Sequence, residues 1–171
     1  MAGKEPDIGP TAATVAANVT RLRTNHKLTY TELSERLRQR AGWAINPVGV
    51  RRLESGERRI GVDDLVALSV AFDVSPATLL MPHELDMNAT VSATGTGAQA
   101  ANRLWHWLCA NEPLKGEGYS KNPIEFWLAA WPEWRQHEAG QELQDRKRRH
   151  EDELARRRAA REKGQPGHGD G

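Results

Sequence analysis

At 171 residues, with 38% hydrophobic residues and a mean hydropathy of −0.70, the chain has room for one small folded domain with polar extensions. Its net charge of +1 neither favours nor excludes nucleic acid, because only the distribution of charge decides that. Cys109 stands alone, which excludes an intramolecular disulfide framework and suits a reducing compartment, and no apolar run approaches the roughly 18 residues that span a bilayer. We therefore predict a soluble, cytoplasmic protein without membrane contact.

The N-terminal region changes character after its first ten residues. Residues 1–10 show no hydrophobic period and are predicted to form a flexible arm. From Val15 to Leu22 the apolar residues recur at helical spacing, and Thr11 is a suitable N-cap. The pattern predicts a first helix from Thr11 to about Asn25.

A second helix is predicted after a short turn at residues 26–28. Thr29 is its expected N-cap, and Glu32 stands at the third helical position, which completes a capping box. Leu33 and Leu37 then supply the apolar stripe, and Gly42 is the expected end of the helix.

A third, shorter helix carries the signal on which the functional hypothesis depends. Asn46 is a good N-cap, and Pro47 fits the first helical position, where its missing N–H group has no intrahelical partner to lose. Val50 and Leu53 are predicted to face inward, and Gly56 is the expected C-terminal stop.

Two more helices complete a predicted all-α domain over residues 11–82. The fourth opens at Val62 or Asp63, with acidic residues in its first turn that complement the helix dipole. Its predicted inner face consists of Leu65, Leu68, Ala71 and Phe72. A short fifth helix begins at Ser75 and is closed by Pro82. Five short helices in this span predict one compact helical domain.

The composition of the remaining chain predicts four further segments. Residues 83–99, rich in Ala, Thr, Ser and Gly near their end, are predicted to form a linker, and residues 100–134 a helical segment for packing or dimerisation. Residues 135–163 are predicted to form a charged helix, and residues 164–171 a disordered tail. The helical segment holds five of the six tryptophans: Trp105, Trp107, Trp127, Trp131 and Trp134.

A helix, a tight turn and a second helix whose first residues face outward form the geometry that reads a DNA major groove. The order of residues at Leu22-Arg23, at 28–33, at 50–56, at 62–68 and at 72–76 resembles the Cro/XRE-type, lambda-repressor-like helix-turn-helix family of transcriptional regulators, in an actinobacterial or phage-like form. The resemblance covers about residues 15–82. It implies a five-helix domain that binds double-stranded DNA in the nucleoid as a homodimer and represses transcription.

The resemblance also implies a base-reading role for the start and middle of the third helix. Carried onto this chain, the positions are Pro47, Val48 and Arg52, with Arg51 close by. An arginine here can donate two hydrogen bonds to the O6 and N7 atoms of guanine, and a valine can pack on a thymine methyl group.

Further roles follow from the same resemblance. Arg23 and Glu54 are expected to form a buried ion pair that fixes the first helix against the third. Contacts to DNA phosphates are expected from helix starts and from the basic loop after the third helix. The expected phosphate-binding residues are Thr29, Tyr30, Asn46, Arg58 and Arg59.

The sequence departs from the family pattern at two places. Tyr30 stands where the family usually has an amide side chain that grips phosphate. The join between the second and third helices is about six residues longer than the common form, because residues 38–43 are extra. Either the second helix is one turn longer, or the loop bulges and brings Arg38 or Arg40 towards the DNA backbone.

Other interpretations remain beside the main one. Arg51 and Arg52 can be ordinary surface charge, and the tryptophans can pack, form an interface or stack on exposed bases. An antitoxin-like or adaptor protein, whose C-terminal segment binds a protein partner, is the alternative function. No nucleophile–base pair or phosphate loop indicates an enzyme, and no cofactor is expected. His106 and Cys109 have helical spacing, but no second ligand pair accompanies them, so no metal site is predicted.

Overall fold

The computed structural model describes residues 8–119, 121–138, 140–141 and 148. Its named elements in chain order are α1 (Pro10–Asn25), α2 (Tyr30–Ala41), α3 (Pro47–Glu54), α4 (Val62–Phe72), α5 (Pro76–Leu80), β1 (Thr90–Val91), β2 (Gln99–Ala100), α6 (Ala101–Leu108) and α7 (Pro123–Ala130). The chain forms two units, residues 1–126 and 127–171, and each is described by itself.

Helices α1 to α5 enclose one hydrophobic core, which confirms the predicted all-α domain. The core side chains come from every one of the five helices and from the loop before α3. They include Val15, Val19, Leu22, Leu33, Leu37, Ile45, Val50, Leu53, Leu68, Ala71, Phe72 and Leu79. Leu65, predicted to face inward, is only half-buried and packs at the margin of this core.

The capping signals in the sequence are confirmed for α2 and α3. The Thr29 hydroxyl accepts from the Glu32 N–H group while the Glu32 side chain accepts from the Thr29 N–H group, so the capping box is complete. The Asn46 side chain accepts from the Gly49 N–H group at 2.7 Å, with Pro47 in the first turn. Gly42 ends α2 in the left-handed conformation at φ 61°.

The first helix begins earlier than the sequence predicts. Pro10 occupies its first turn and Gly9 is the N-cap, so Pro10 does not belong to a flexible arm and Thr11 is not the cap. The physical reason is that the fixed φ of proline suits the first helical position. The Thr11 hydroxyl instead accepts a hydrogen bond from the backbone N–H group of Thr94 at 2.7 Å. Residues 1–7 lie outside the described part of the chain.

The longer join before α3 is explained by a longer second helix. α2 continues to Ala41 and contains Arg38 and Arg40, so the first of the two alternatives is the one observed. The remaining loop is held to α2 by the Ser34 hydroxyl, which donates to the carbonyl oxygen of Ile45 at 2.6 Å. The Ile45 side chain is buried in the core.

Residues 83–99 do not form the predicted linker along their whole length. β1 pairs with β2 in antiparallel register, with Thr90 opposite Ala100 and Val91 opposite Gln99. The Gln99 side chain is buried and bridges the backbone, donating to the carbonyl oxygens of Thr96 at 3.0 Å and of Lys115 at 2.9 Å. The hydrogen bonds of this buried polar side chain are thus satisfied, so its burial does not oppose the fold of the segment.

This hairpin and α6 share a second, smaller core. Val91, Ala101, Leu104 and Leu114 are buried in it, and Trp107 and Met81 pack at its margin. Next to it, the buried Asn18 side chain of α1 donates to the carbonyl oxygens of Leu79 at 3.0 Å and of Met81 at 2.7 Å. Asn18 thus satisfies carbonyl groups that the end of α5 leaves open.

The unit from residue 127 onward is described only in part. The Trp127 and Trp131 rings stack with centroids 5.2 Å apart, and the Arg135 guanidinium lies 4.6 Å from the Trp131 ring centre. Residues 133–138, 140–141 and 148 are helical, whereas the rest of the predicted charged helix and the whole predicted tail lie outside the described residues. In the described part of the chain, no helix is long and apolar enough to cross a membrane.

Candidate nucleic-acid interface

Helix α3 presents a short outward face opposite its buried side. Val50 and Leu53 are each 1% exposed and anchor the helix in the core. Val48 is 56% exposed, and the side chains of Arg51 and Arg52 are 53% and 58% exposed. Residues spaced by three and four positions lie on one side of a helix, so these three side chains form a single exposed face.

The two arginines on this face share one carboxylate. The shortest distance from Arg51 to Glu57 is 3.7 Å, and that from Arg52 to Glu57 is also 3.7 Å. Exposed pairs at such distances contribute little to stability, on the order of 1 kcal/mol or less. Both guanidinium groups can therefore exchange Glu57 for another acceptor at low cost.

Pro47 and Asn46 lie at the start of α3 but differ from the arginines in environment. Pro47 is half-buried, whereas Asn46 is exposed and its side-chain Oδ1 atom accepts the capping hydrogen bond from the Gly49 N–H group. A Cβ atom added at Gly49 would lie 2.9 Å from the Cγ2 atom of Ile45 and 3.2 Å from the Asn46 oxygen. The glycine is therefore explained by this close approach, which the sequence did not indicate.

The start of α2 is already occupied by an acidic side chain. The Glu32 Oε2 atom accepts from the Thr29 N–H group at 2.7 Å and from the Thr29 hydroxyl at 2.8 Å. These two hydrogen bonds lower the pKa of Glu32, and the bond from the backbone N–H group has the larger effect. A phosphate at this helix start has to compete with Glu32 for the Thr29 donors.

Arg23 and Glu54 form a two-pronged ion pair between α1 and α3. The Arg23 Nε atom donates to Glu54 Oε1 at 2.6 Å and its Nη2 atom donates to Oε2 at 2.9 Å. Only 16% and 5% of the two side chains are exposed. The hydrogen bond to Glu54 raises the pKa of Arg23 against the opposing effect of burial. The pair fixes the C-terminal end of α3 on α1.

Neighbouring groups form further hydrogen bonds with both members of the Arg23–Glu54 pair. Arg23 Nη1 donates to the carbonyl oxygen of Leu28 at 2.9 Å, and Glu54 accepts from the Thr20 hydroxyl at 3.1 Å. The Tyr30 ring lies beneath the guanidinium, 4.3 Å from its centre. Tyr30 therefore packs on the ion pair, which gives a physical reason for an aromatic residue where the family pattern has an amide.

Asp64 forms a cluster that the sequence did not reveal. Its side chain is 6% exposed and accepts from the Trp43 indole N–H group at 2.9 Å, from the Gly61 N–H group at 3.0 Å and from Arg58 Nη2, the shortest distance being 3.0 Å. We name these four residues the Asp64 cluster. The sequence indicated Asp64 as a residue that complements the helix dipole and Arg58 as a phosphate ligand, and nothing in it pointed to Trp43.

The Asp64 cluster makes stability depend on acidity. Burial raises the pKa of Asp64, but the hydrogen bonds from Trp43, Gly61 and Arg58 and the charge of Arg58 together hold it below the usual value. A carboxyl with a depressed folded-state pKa stabilises fully above its unfolded pKa, about 3.9, and loses that contribution as the pH falls through the folded value.

We accordingly expect acidification below about pH 4, near the ordinary aspartate pKa, to reduce stability less in the Asp64→Asn variant than in the parent chain. Urea unfolding of both chains between pH 3 and pH 6 measures the difference. Identical pH dependence in the two chains would show that Asp64 does not titrate as the cluster requires.

Arg59 differs from its neighbour Arg58 in having an exposed side chain. Over residues 11–82 the sequence has ten lysines and arginines against seven aspartates and glutamates, a modest positive excess. Among the described residues, no group of three or more histidine, cysteine, aspartate or glutamate side chains is placed to hold a metal ion. The chemistry available at the outward face of α3 is therefore hydrogen bonding and charge.

Comparison with known proteins gives one result. Residues 19–79 match the model of a protein family described as helix-turn-helix. The matched range contains α2, α3, the Arg23–Glu54 ion pair and the Asp64 cluster. Searches of curated proteins and of solved structures give no match.

Proposed function

We propose that residues 19–79, which match the helix-turn-helix family model, form a DNA-binding domain of the Cro/XRE type. On that premise, the chain is a sequence-specific transcriptional repressor that reads the DNA major groove with α3. The observation that carries the proposal is the single outward face of Val48, Arg51 and Arg52 on a helix whose other side is anchored in the core. This family consists of regulatory domains and not of enzymes, so we assign no catalytic residue.

In the proposed complex, Arg51 and Arg52 leave Glu57 and hydrogen-bond to guanine, and Val48 packs on a thymine methyl group. Pro47 lies at the groove-facing start of the helix. Phosphate contacts position the domain and carry no sequence information themselves. We propose them for Thr29, Tyr30, Asn46, Arg58 and Arg59; the Arg58 side chain is 37% exposed, although its Nη1 atom is buried.

We further propose that two copies act together on a palindromic site, because one eight-residue helix reads only a few base pairs. The segment of residues 100–134, which holds five of the six tryptophans, is the proposed means of dimerisation. Such a complex would act on chromosomal DNA in the cytoplasm.

The dependence of binding on salt tests the DNA-binding role itself. Each phosphate contact releases a counterion, so affinity for a duplex of arbitrary sequence is expected to fall more than about tenfold between roughly 50 and 200 mM salt. Fluorescence anisotropy with a labelled duplex measures this. Affinity that is flat with salt, or absent at the lowest salt, would count against DNA as the ligand.

A second candidate function rests on exposed apolar side chains in the C-terminal part of the chain. In the unit from residue 127 onward, Leu128 is 60% exposed and Trp134 is 63% exposed. Apolar side chains of this size, when clustered on a surface, are typical of protein–protein contacts. The alternative is an antitoxin-like or adaptor protein that binds a protein partner there, and co-purification of one stoichiometric partner from the native cell would favour it.

A further inference from the structure

The two loops that flank α3 converge on one carboxylate. The loop before α3 contains Trp43, whose indole N–H group donates to Asp64 Oδ1 at 2.9 Å. The loop after α3 contains Arg58 and Gly61, which donate to the same carboxylate at 3.0 Å each. Asp64 belongs to α4, so both ends of the α3 region are attached to the N-terminal turn of a neighbouring helix.

We propose that Trp43 and Asp64 are positioning residues for base reading: the Asp64 cluster holds both loops around α3 and so sets the angle at which Val48, Arg51 and Arg52 meet DNA. This inference rests on the proposed function. Trp43 and Asp64 make no DNA contact themselves but decide how well α3 discriminates among sequences.

The short length of α3 explains why its flanking loops have to be held in place. The helix has eight residues, and only two of its side chains, Val50 and Leu53, are fully buried. The Arg23–Glu54 pair fixes its C-terminal end, but no ion pair of comparable burial is recorded at its N-terminal end in the described structure. On that side the loop is held to α2 by Ser34 and by the buried Ile45 side chain, and the Trp43–Asp64 hydrogen bond adds an attachment to α4. Base reading requires hydrogen-bond geometry, which tolerates only small displacements.

The indole N–H group of Trp43 is the part of that side chain that matters most for the proposal. Trp43 is 38% exposed, so its ring contributes less to packing than a core aromatic residue does. Phenylalanine keeps most of the ring contact and removes only the donor. The carboxylate retains Arg58 and Gly61 as partners, so Trp43→Phe is expected to fold.

The test compares affinities of Trp43→Phe and the parent full-length chain for two duplexes at a temperature where both are folded. One duplex is selected from random DNA with the parent chain, and the other has the same composition in scrambled order. We expect the ratio of the two affinities to fall on the order of tenfold, equivalent to losing about one base contact, while scrambled-duplex affinity and salt slope stay unchanged.

Asn18→Ala is the matched control. Asn18 holds the end of α5 through Leu79 and Met81 and makes no recorded contact with either loop around α3. It is expected to lower stability without changing the affinity ratio. A merely structural Trp43 would behave like this control, and an unchanged ratio in folded Trp43→Phe would overturn the inference.

A double substitution identifies the partner. Asp64→Ala removes the acceptor of the Trp43 indole N–H group and is expected to lower the affinity ratio as well. Trp43→Phe in that background should lower it little further, because both changes remove one shared contact. If the two substitutions lowered the affinity ratio by independent factors that multiply, Trp43 would act independently of Asp64. That result would contradict the proposed role of the Asp64 cluster. If the parent chain itself prefers no sequence, the proposed function fails first, and the inference fails with it.

Discussion

Arg23→Met is expected to lower the free energy of unfolding by about 3–5 kcal/mol, the usual cost of stranding one partner of a buried ion pair. Glu54 is the partner that is stranded: its side chain is 5% exposed and would keep only the Thr20 hydroxyl among its recorded partners. Methionine has a side chain of similar length to arginine and so preserves most of the contact with the Tyr30 ring. Urea unfolding at pH 7 measures the change.

Arg38→Met is the control for this prediction. Arg38 also pairs with a glutamate, Glu35, but the two side chains are 65% and 47% exposed. Removing an exposed pair is expected to change stability by less than about 1 kcal/mol. The double variant Arg23→Met/Glu54→Leu should recover part of the loss, since no charge is then left unpaired. Equal losses for Arg23→Met and Arg38→Met would refute the structural importance of the buried pair.

The second large effect is expected at the outward face of α3. Arg52→Ala should weaken binding to the selected duplex by roughly tenfold or more, because one good contact to guanine contributes about 1–3 kcal/mol of discrimination. Arg51→Ala should act in the same direction. Anisotropy titrations at one fixed salt concentration measure both.

Two further variants make this result specific. Lys115→Ala removes an equal charge from an exposed position outside the five-helix domain, and binding should change little. Glu57→Gln removes the carboxylate that both arginines approach at 3.7 Å, so the affinity should rise. If Lys115→Ala weakened binding as much as Arg52→Ala, net charge and not base contact would explain the effect.

The parts of the fold that the sequence predicts well are those fixed by local interactions. A capping box links Thr29 to Glu32, and the Asn46 cap reaches Gly49, so both signals lie within three residues of each other. The periodicity of α1 to α4 is equally local. The starts of α2 and α3 could be predicted because their capping hydrogen bonds close within one turn.

The parts that the sequence did not reveal depend on distant residues. The strands β1 and β2 have two residues each, too short for an alternating pattern, and the hairpin is held by Gln99 reaching Lys115. Trp43 and Asp64 are 21 positions apart, so no pattern within one helical turn links them. Arg58 also pairs with Asp64, and no sequence spacing indicated that partner.

The central claim, that α3 reads base sequence, is tested most directly by selecting bound duplexes from random DNA with the parent chain and with Arg52→Ala. The account predicts that the parent chain enriches a motif containing guanine and that Arg52→Ala loses the preference for guanine at one position of each half-site while keeping the others. An identical motif from both chains, or no enriched motif from the parent, would contradict it.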